Sequence, residues 1–307
     1  MTCLSPRDER HYANWKKAKT CFDTAGSLFE MPFENGFLPC YFLQPSKVTY
    51  RRPTLIVVTG GEGTAMEMYF WCAPEGLSRE YNILLCELPG NITTRYESPA
   101  QTLRADMEIP MRSIIDNLET RATVDSGKIA LIGYSAGGYF AARAAAFEKR
   151  IAALIPDSPL RDMYGMFTAV FHKMLLSPRS SSFVQFIIQH FTDRSTKASI
   201  DLLLWESGID DFGKLFEMTK QANLIGIEQR IICPTLALSS EGEGAAFINQ
   251  AKLFIKNISS TIKEQKIFSQ KEGASAHCQI NNLTVACNTV YDWLDTIFQW
   301  NTDEKDT

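Results

Sequence analysis

Apolar runs recur along the chain: TLIVVTGG (54–61), YNILLCELPG (81–90), KIALIGYSAGG (128–138), IAALIPDSP (151–159) and CPTLALSSEGEG (233–244). Each is aliphatic or β-branched and then breaks into glycine or proline, the pattern of a strand in a parallel sheet with both faces covered. KIFSQKEGASAH (266–277) reads as a sixth, shorter strand. Between the runs lie segments of helical period: MEIPMRSIIDNLETR, the alanine-rich stretch from Tyr139 to Phe147, INQAKLFIKNI and TVACNTVYDWLDTIFQW. Strand and helix therefore alternate as in right-handed βαβ units. Ahead of them, Trp15, Ala18, Cys21, Phe22 and Leu28 recur at helical spacing within residues 7–30, and MPFENGFLPCYFLQP predicts a hairpin turning at Asn35-Gly36.

One region breaks the alternation. From Arg161 to about Arg230 the chain is rich in Met, Phe and Leu, with no buried-strand pattern. Short helices inserted between two strands predict a cap over the carboxyl edge of the sheet, where open α/β folds take ligands. The expected organisation is an N-terminal helical segment with hairpin (1–50), an α/β core (51–160 and 231–300) and a helical cap (161–230). The tail NTDEKDT reads as frayed.

Composition agrees with a large buried core: 307 residues, 45% hydrophobic and 21% charged. A formal charge of -4 gives no footing for nucleic acid. No stretch approaches the roughly 20 apolar residues of a membrane span, and the N-terminal segment carries charges where a signal peptide has its apolar core, so a cytoplasmic protein is expected. The eight cysteines form no CxxC pair and no zinc spacing, which predicts reduced thiols and no metal.

The chemistry concentrates at Gly133-Tyr134-Ser135-Ala136-Gly137, which follows the strand IALI and opens a helix. In such an elbow the serine sits on a strained turn at the sheet edge, with the helix N-terminus pointing at the site. A serine hydroxyl needs a histidine base, and the base needs a carboxylate. His11 precedes the sheet, and His172 and His190 fall inside the cap; His277, in GASAHC after the last strand, is the candidate base. The acid should lie between serine and histidine, and the loop SSEGEGAAF offers Glu243 first and Glu241 second, with Asp157 at the end of IAALIPD third. Oxyanion donors are expected from the N–H of Ala136 and from the GGEGT loop, at Gly61 or Glu62. That loop lacks both G-x-G-x-x-G and a Lys-Ser/Thr ending, so no dinucleotide or phosphate cradle is expected there. Glu67, Tyr69 and Tyr134 are candidates for orienting a substrate.

On these residues the chain resembles the α/β-hydrolase superfamily. GGEGTAMEMYFW, YNILLCELPG, GYSAGGYFAARAAAFEKRIAALIPDSP, SSEGEG and EGASAHC are similar to the branch holding 2,6-dihydroxypseudooxynicotine hydrolase and the hydrolases that shorten heptaketide pigment precursors. The resemblance covers roughly residues 30–300. It implies a helical cap, a Ser-acid-His triad with Ser135 as nucleophile and His277 as base, no cofactor, and cleavage of a carbon–carbon bond next to a ketone. The chain departs from the branch in offering glutamates where many members have Asp, and in LPGNITT, which lacks the usual small residue.

The expected function is hydrolysis of a mainly apolar small molecule, a ketone, β-diketone or ester. An acyltransferase or cyclase using the same acyl-enzyme is the second reading, and a non-catalytic binding protein on the scaffold the third. The N-terminal helical segment and apolar cap make a homodimer conceivable.

Overall fold

The computed structural model describes residues 5–23, 28–45, 50–170 and 194–300. Eight strands form one sheet: β1 Leu28–Phe33, β2 Gly36–Leu43, β3 Arg52–Val58, β4 Asn82–Cys86, β5 Val124–Tyr134, β6 Ala153–Asp157, β7 Thr235–Ser240 and β8 Lys263–Phe268. Their spatial order is β1-β2-β4-β3-β5-β6-β7-β8. The β1/β2 and β2/β4 pairs are antiparallel, and the remaining pairs are parallel.

The apolar runs become strands because both faces of the sheet are covered. All seven residues of β3 are buried, and alternate side chains leave on opposite faces. Ile56, Val58, Leu84 and Leu131 pack with α4 (Glu108–Glu119) and α5 (Ala136–Phe147) through Met111, Ile114 and Tyr139. Leu55, Val57, Ile83 and Ile132 face the other way, onto Met68 and Cys72 of α2 (Ala65–Ser78) and Tyr291 and Leu294 of α10 (Leu283–Phe298). Each fully buried aliphatic side chain contributes about 1.5–3 kcal/mol, so this two-sided core fixes where the strand ends stand.

Three local expectations are corrected. The hairpin turns at Glu34-Asn35 rather than Asn35-Gly36, because Gly36 already pairs with Phe33. Its glycine serves close approach: a side chain there would collide with the Ser98 hydroxyl, which accepts the Phe37 N–H. The N-terminal helix α1 (Glu9–Asp23) stops short of Leu28, which belongs to β1. Trp15 and Lys19 are the residues α1 buries; Trp15 donates to Thr93 at 3.2 Å and Lys19 pairs with Glu97 at 3.2 Å. The last strand lies at Lys263–Phe268, earlier than the 266–277 run, whose second half turns back as short 3-10 segments carrying His277.

Between β6 and β7 the described residues form α6 (Met163–Val170), α7 (Arg194–Ser207) and α8 (Phe212–Thr219). The two ends of this insertion are tied together. Arg161 pairs with the fully buried Glu228 at 2.7 Å, and Leu224 N–H donates to the Arg161 carbonyl at 2.8 Å. His172 and His190 lie outside the described residues, as does the tail 301–307. The hairpin is continuous with the core sheet through the β2/β4 ladder. Among the described residues, seven cysteines are free thiols, no helix is long and apolar enough to cross a membrane, and no His/Cys/Asp/Glu group could hold a metal ion.

Candidate active site

Ser135 is the residue between β5 and α5, at φ 57° and ψ −124°. This is a left-handed φ rare for a residue with a side chain, and it persists because strand and helix hold it from both sides. The turn can close because Gly133 faces the Gly137 main chain and Ala141, whose Cβ would stand 2.8 Å from a Cβ on Gly133. The helix N-terminus at Ala136 lies beside the loop after β3, where a Cβ on Gly60 would come within 2.5 Å of the Ala136 nitrogen. Two sequence-distant loops thus bring their amides together next to the serine.

That loop is braced from below. Glu87, buried at the end of β4, accepts N–H groups of Ala65 (2.8 Å) and Thr93 (2.9 Å) and the Thr93 hydroxyl (2.7 Å). Burial raises its pKa to about 7 against those donors, with Glu97 adding to the rise. Asn91, in the LPGNITT segment, donates to the Gly60 carbonyl at 3.0 Å. Asn91 thus acts as a strut under the glycine loop.

His277 reaches the serine from the far edge of the sheet. Its Nε2 lies 2.9 Å from Ser135 Oγ, and its Nδ1 forms a short hydrogen bond to Glu243 Oε1. The Glu243 carboxyl is fully buried. Its Oε1 also accepts the Ser158 hydroxyl, and its Oε2 accepts the Ser240 N–H at 2.8 Å. Glu243 is the third residue of the turn Glu241–Glu243, capped by Ser240, so the longer side chain folds back on its own turn and still meets the imidazole. Gly242 N–H donates to the Ser275 carbonyl at 2.9 Å, locking the acid loop to the histidine loop. Partial burial pulls the His277 pKa down, but the hydrogen bond and charge of Glu243, helped by Asp157, outweigh it and leave it above 6.5.

The other sequence candidates separate clearly. Glu241 points away and accepts the Gln270 N–H at 2.8 Å. Asp157 is buried and makes no hydrogen bond to His277; it accepts Gln279 Nε2 at 3.1 Å. Burial, then the neighbouring Glu243 charge, raises its pKa to about 7. His11 bonds the Tyr96 hydroxyl at 2.7 Å.

Above Ser135 and His277 opens a cavity of about 730 Å³, walled by Met68, Trp71, Leu103, Phe140, Met163, Met166, Ile200, Leu203 and Met218 among others. Core and cap both contribute. Gly61, Glu62, Glu67, Tyr134 and Ala136 also line it. Glu67 also closes a capping box with Thr64. Tyr69 is absent from the lining; its ring packs against Phe22 and Phe70, because α2 turns that face toward α1. Glu62 N–H donates to Glu206 Oε1 at 3.2 Å, whereas the Gly61 and Ala136 amides have no such partner among the described residues. Glu206, Ser158 and Gln279 were not singled out by sequence. The one available signal was a lone carboxylate closing the apolar run LLLWES.

Known proteins share this fold. A family model described as alpha/beta hydrolase fold matches residues 53–199. The alpha/beta hydrolase pydG of Acremonium sp is 34% identical over 169 residues, which are 52% of this chain and 39% of that protein. The 20-hydroxy-prefusarin hydrolase of Gibberella moniliformis is 24% identical over 322 residues, 96% of this chain and 76% of that one. The chain thus spans well under two thirds of the length of the pydG protein. The crystal structure of 2,6-dihydroxy-pseudo-oxynicotine hydrolase superposes with a TM-score of 0.65 at 18% identity, covering 92% of this chain and 70% of that one. With the sheet order and these matches together, the chain has the alpha/beta hydrolase fold.

Proposed function

We propose that the chain is a serine hydrolase of apolar carbonyl compounds, with Ser135 as nucleophile, His277 as base and Glu243 as the acid that orients it. The observation that carries this reading is the continuous relay Glu243–His277–Ser135 at the floor of a largely apolar cavity. Ser135 Oγ attacks the carbonyl carbon while its proton passes to His277 Nε2. Glu243 holds the imidazole with Nδ1 protonated and offsets the charge it gains. The tetrahedral oxyanion is held by the N–H groups of Ala136 and Gly61, the Glu62 N–H being taken by Glu206. Collapse expels the leaving group, which takes the proton from His277, and water activated by His277 then releases the acid. All reacting groups come from the chain and the water.

The aromatic and methionine walls suit an aryl or polyketide ketone, a β-diketone or an ester. Relatives named as hydrolases, among them that of 20-hydroxy-prefusarin, favour transfer to water. The direct test is labelling with a fluorophosphonate probe, expected for the wild-type chain and absent in Ser135→Ala. Labelling that persists in the variant, or none in the wild type, refutes the reading.

The pH dependence has a definite sign. Only neutral His277 can take the serine proton, so kcat/KM on an ester should fall as pH drops through the His277 pKa, above 6.5. Glu243→Gln removes the charge that opposes burial, so the midpoint should move to lower pH. A profile measured over about pH 5–9 that is unmoved in the variant contradicts the assignment.

A further inference from the structure

Glu206 lies one residue from the end of α7, after Leu202, Leu203, Leu204 and Trp205, and is only 2% exposed. It lines the cavity. Its Oε1 accepts the Glu62 N–H, and its Oε2 lies 3.3 Å from where a side chain on Gly61 would begin. The main chain around it is pinned to the core: Leu103 N–H donates to the Glu206 carbonyl at 2.8 Å, and Arg95 Nε donates to the Trp205 carbonyl at 3.0 Å. A cap residue is thereby fixed against the glycine loop whose preceding residue, Gly60, touches the Ala136 amide.

The charged groups facing this carboxyl are Glu62 on the glycine loop, Glu87 at the end of β4 and Arg95 on α3 (Ile92–Glu97). Burial is the largest influence and raises its pKa to about 8; the Glu62 N–H and Arg95 oppose the rise, while Glu62 and Glu87 add to it. Near pH 7 the group is therefore a neutral acid. With Oε1 occupied as an acceptor, its one O–H donor is on the oxygen beside Gly61.

We propose that Glu206 is a catalytic residue that favours carbon–carbon over ester cleavage by hydrogen-bonding the second carbonyl oxygen of a β-dicarbonyl substrate and stabilising the enolate that forms there. The proposal rests on Ser135 and His277 acting as described above. Ser135 Oγ bonds to the first carbonyl carbon and its proton goes to His277. When the tetrahedral adduct collapses, the bond to the α-carbon breaks and its electron pair becomes the enolate, whose oxygen accepts the Glu206 O–H bond. His277 then gives the serine proton to the α-carbon, releasing a methyl ketone, and Glu206 keeps its own proton. Water hydrolyses the acyl-Ser135, so one diketone and one water give one acid and one ketone. An ester leaving group carries its charge on the alkoxide oxygen and has no use for this donor.

The test compares benzoylacetone cleavage with p-nitrophenyl butyrate hydrolysis in wild type, Glu206→Leu and Glu206→Gln. In Glu206→Leu the diketone-to-ester kcat ratio should fall by about 100-fold, the scale of one lost charge-stabilising donor. Glu206→Gln keeps an N–H donor and should recover most of that ratio. Wild-type diketone turnover should also decline as pH rises through about 8, a limb missing from the ester profile and from Glu206→Gln. Equal losses on both substrates, or an unchanged ratio, overturn the proposal. So does a wild-type chain that cleaves the ester and not the diketone, while fluorophosphonate labelling of Ser135 would then still uphold the serine hydrolase reading. If Glu206→Leu does not fold, the pH limb and its loss in Glu206→Gln decide.

Discussion

Ser135→Ala, His277→Ala and the double substitution are expected to lower kcat on an acyl ester by similar factors, on the order of 10⁴–10⁶. The reason is that nucleophile and base act as one unit. The 2.9 Å contact between His277 Nε2 and Ser135 Oγ has chemical use only while both groups are present. Once either is gone, the remaining rate comes from the amide donors and from substrate binding, and removing the second group subtracts little more. The fold should tolerate all three changes, because the positive φ of Ser135 is set by β5 and α5 around it and His277 is partly exposed. Kinetics on purified variants, with thermal melts as control, check this. A double variant worse than either single by the product of the two losses would mean independent roles, and a His277→Ala variant within tenfold of wild type would remove the base assignment.

The parts of this architecture that sequence made legible are those where one physical effect dominates. Strands such as Leu55–Val58 and Ile129–Ile132 are buried on both faces, so every position is apolar and the run announces itself. Ser135 was legible because its strained turn imposes glycine at Gly133 and a fixed place between strand and helix. Where two effects compete, the reading slipped. Gly36 looked like a turn residue, yet its lack of a side chain is used by Ser98. Tyr69 lies near the cavity in sequence, but the rotation of α2 gives Met68 and Trp71 to the cavity and Tyr69 to Phe22. Glu206 was hidden because its meaning depends on a contact 144 residues away, with Glu62. No local pattern carries that distance.

The choice of acid has the second large consequence. Glu243→Ala should lower kcat by about 10³–10⁴, somewhat less than loss of the nucleophile, because a misoriented histidine still takes protons part of the time. It should also destabilise the chain by about 1–3 kcal/mol, since the buried Ser158 hydroxyl and Ser240 N–H lose their acceptor along with His277 Nδ1. Glu241→Ala, two residues away on an exposed turn, should stay within about 0.5 kcal/mol of wild-type stability and within about twofold in kcat. Asp157 makes the comparison more informative. Burial and the neighbouring Glu243 charge raise its pKa to about 7, so deleting Glu243 should lower that pKa and favour an ionised carboxylate close to the imidazole. Asp157→Asn alone should then cost less than about tenfold, whereas adding it to Glu243→Ala should remove most of the residual activity, a coupling expected only between neighbours that share a partner. Additive losses across that cycle would show that Asp157 supports the loop through Gln279 and has no electrostatic hold on His277. If Glu241→Ala matched Glu243→Ala, the acid would belong two residues earlier in the loop and the orientation of the whole turn Glu241–Glu243 would be different.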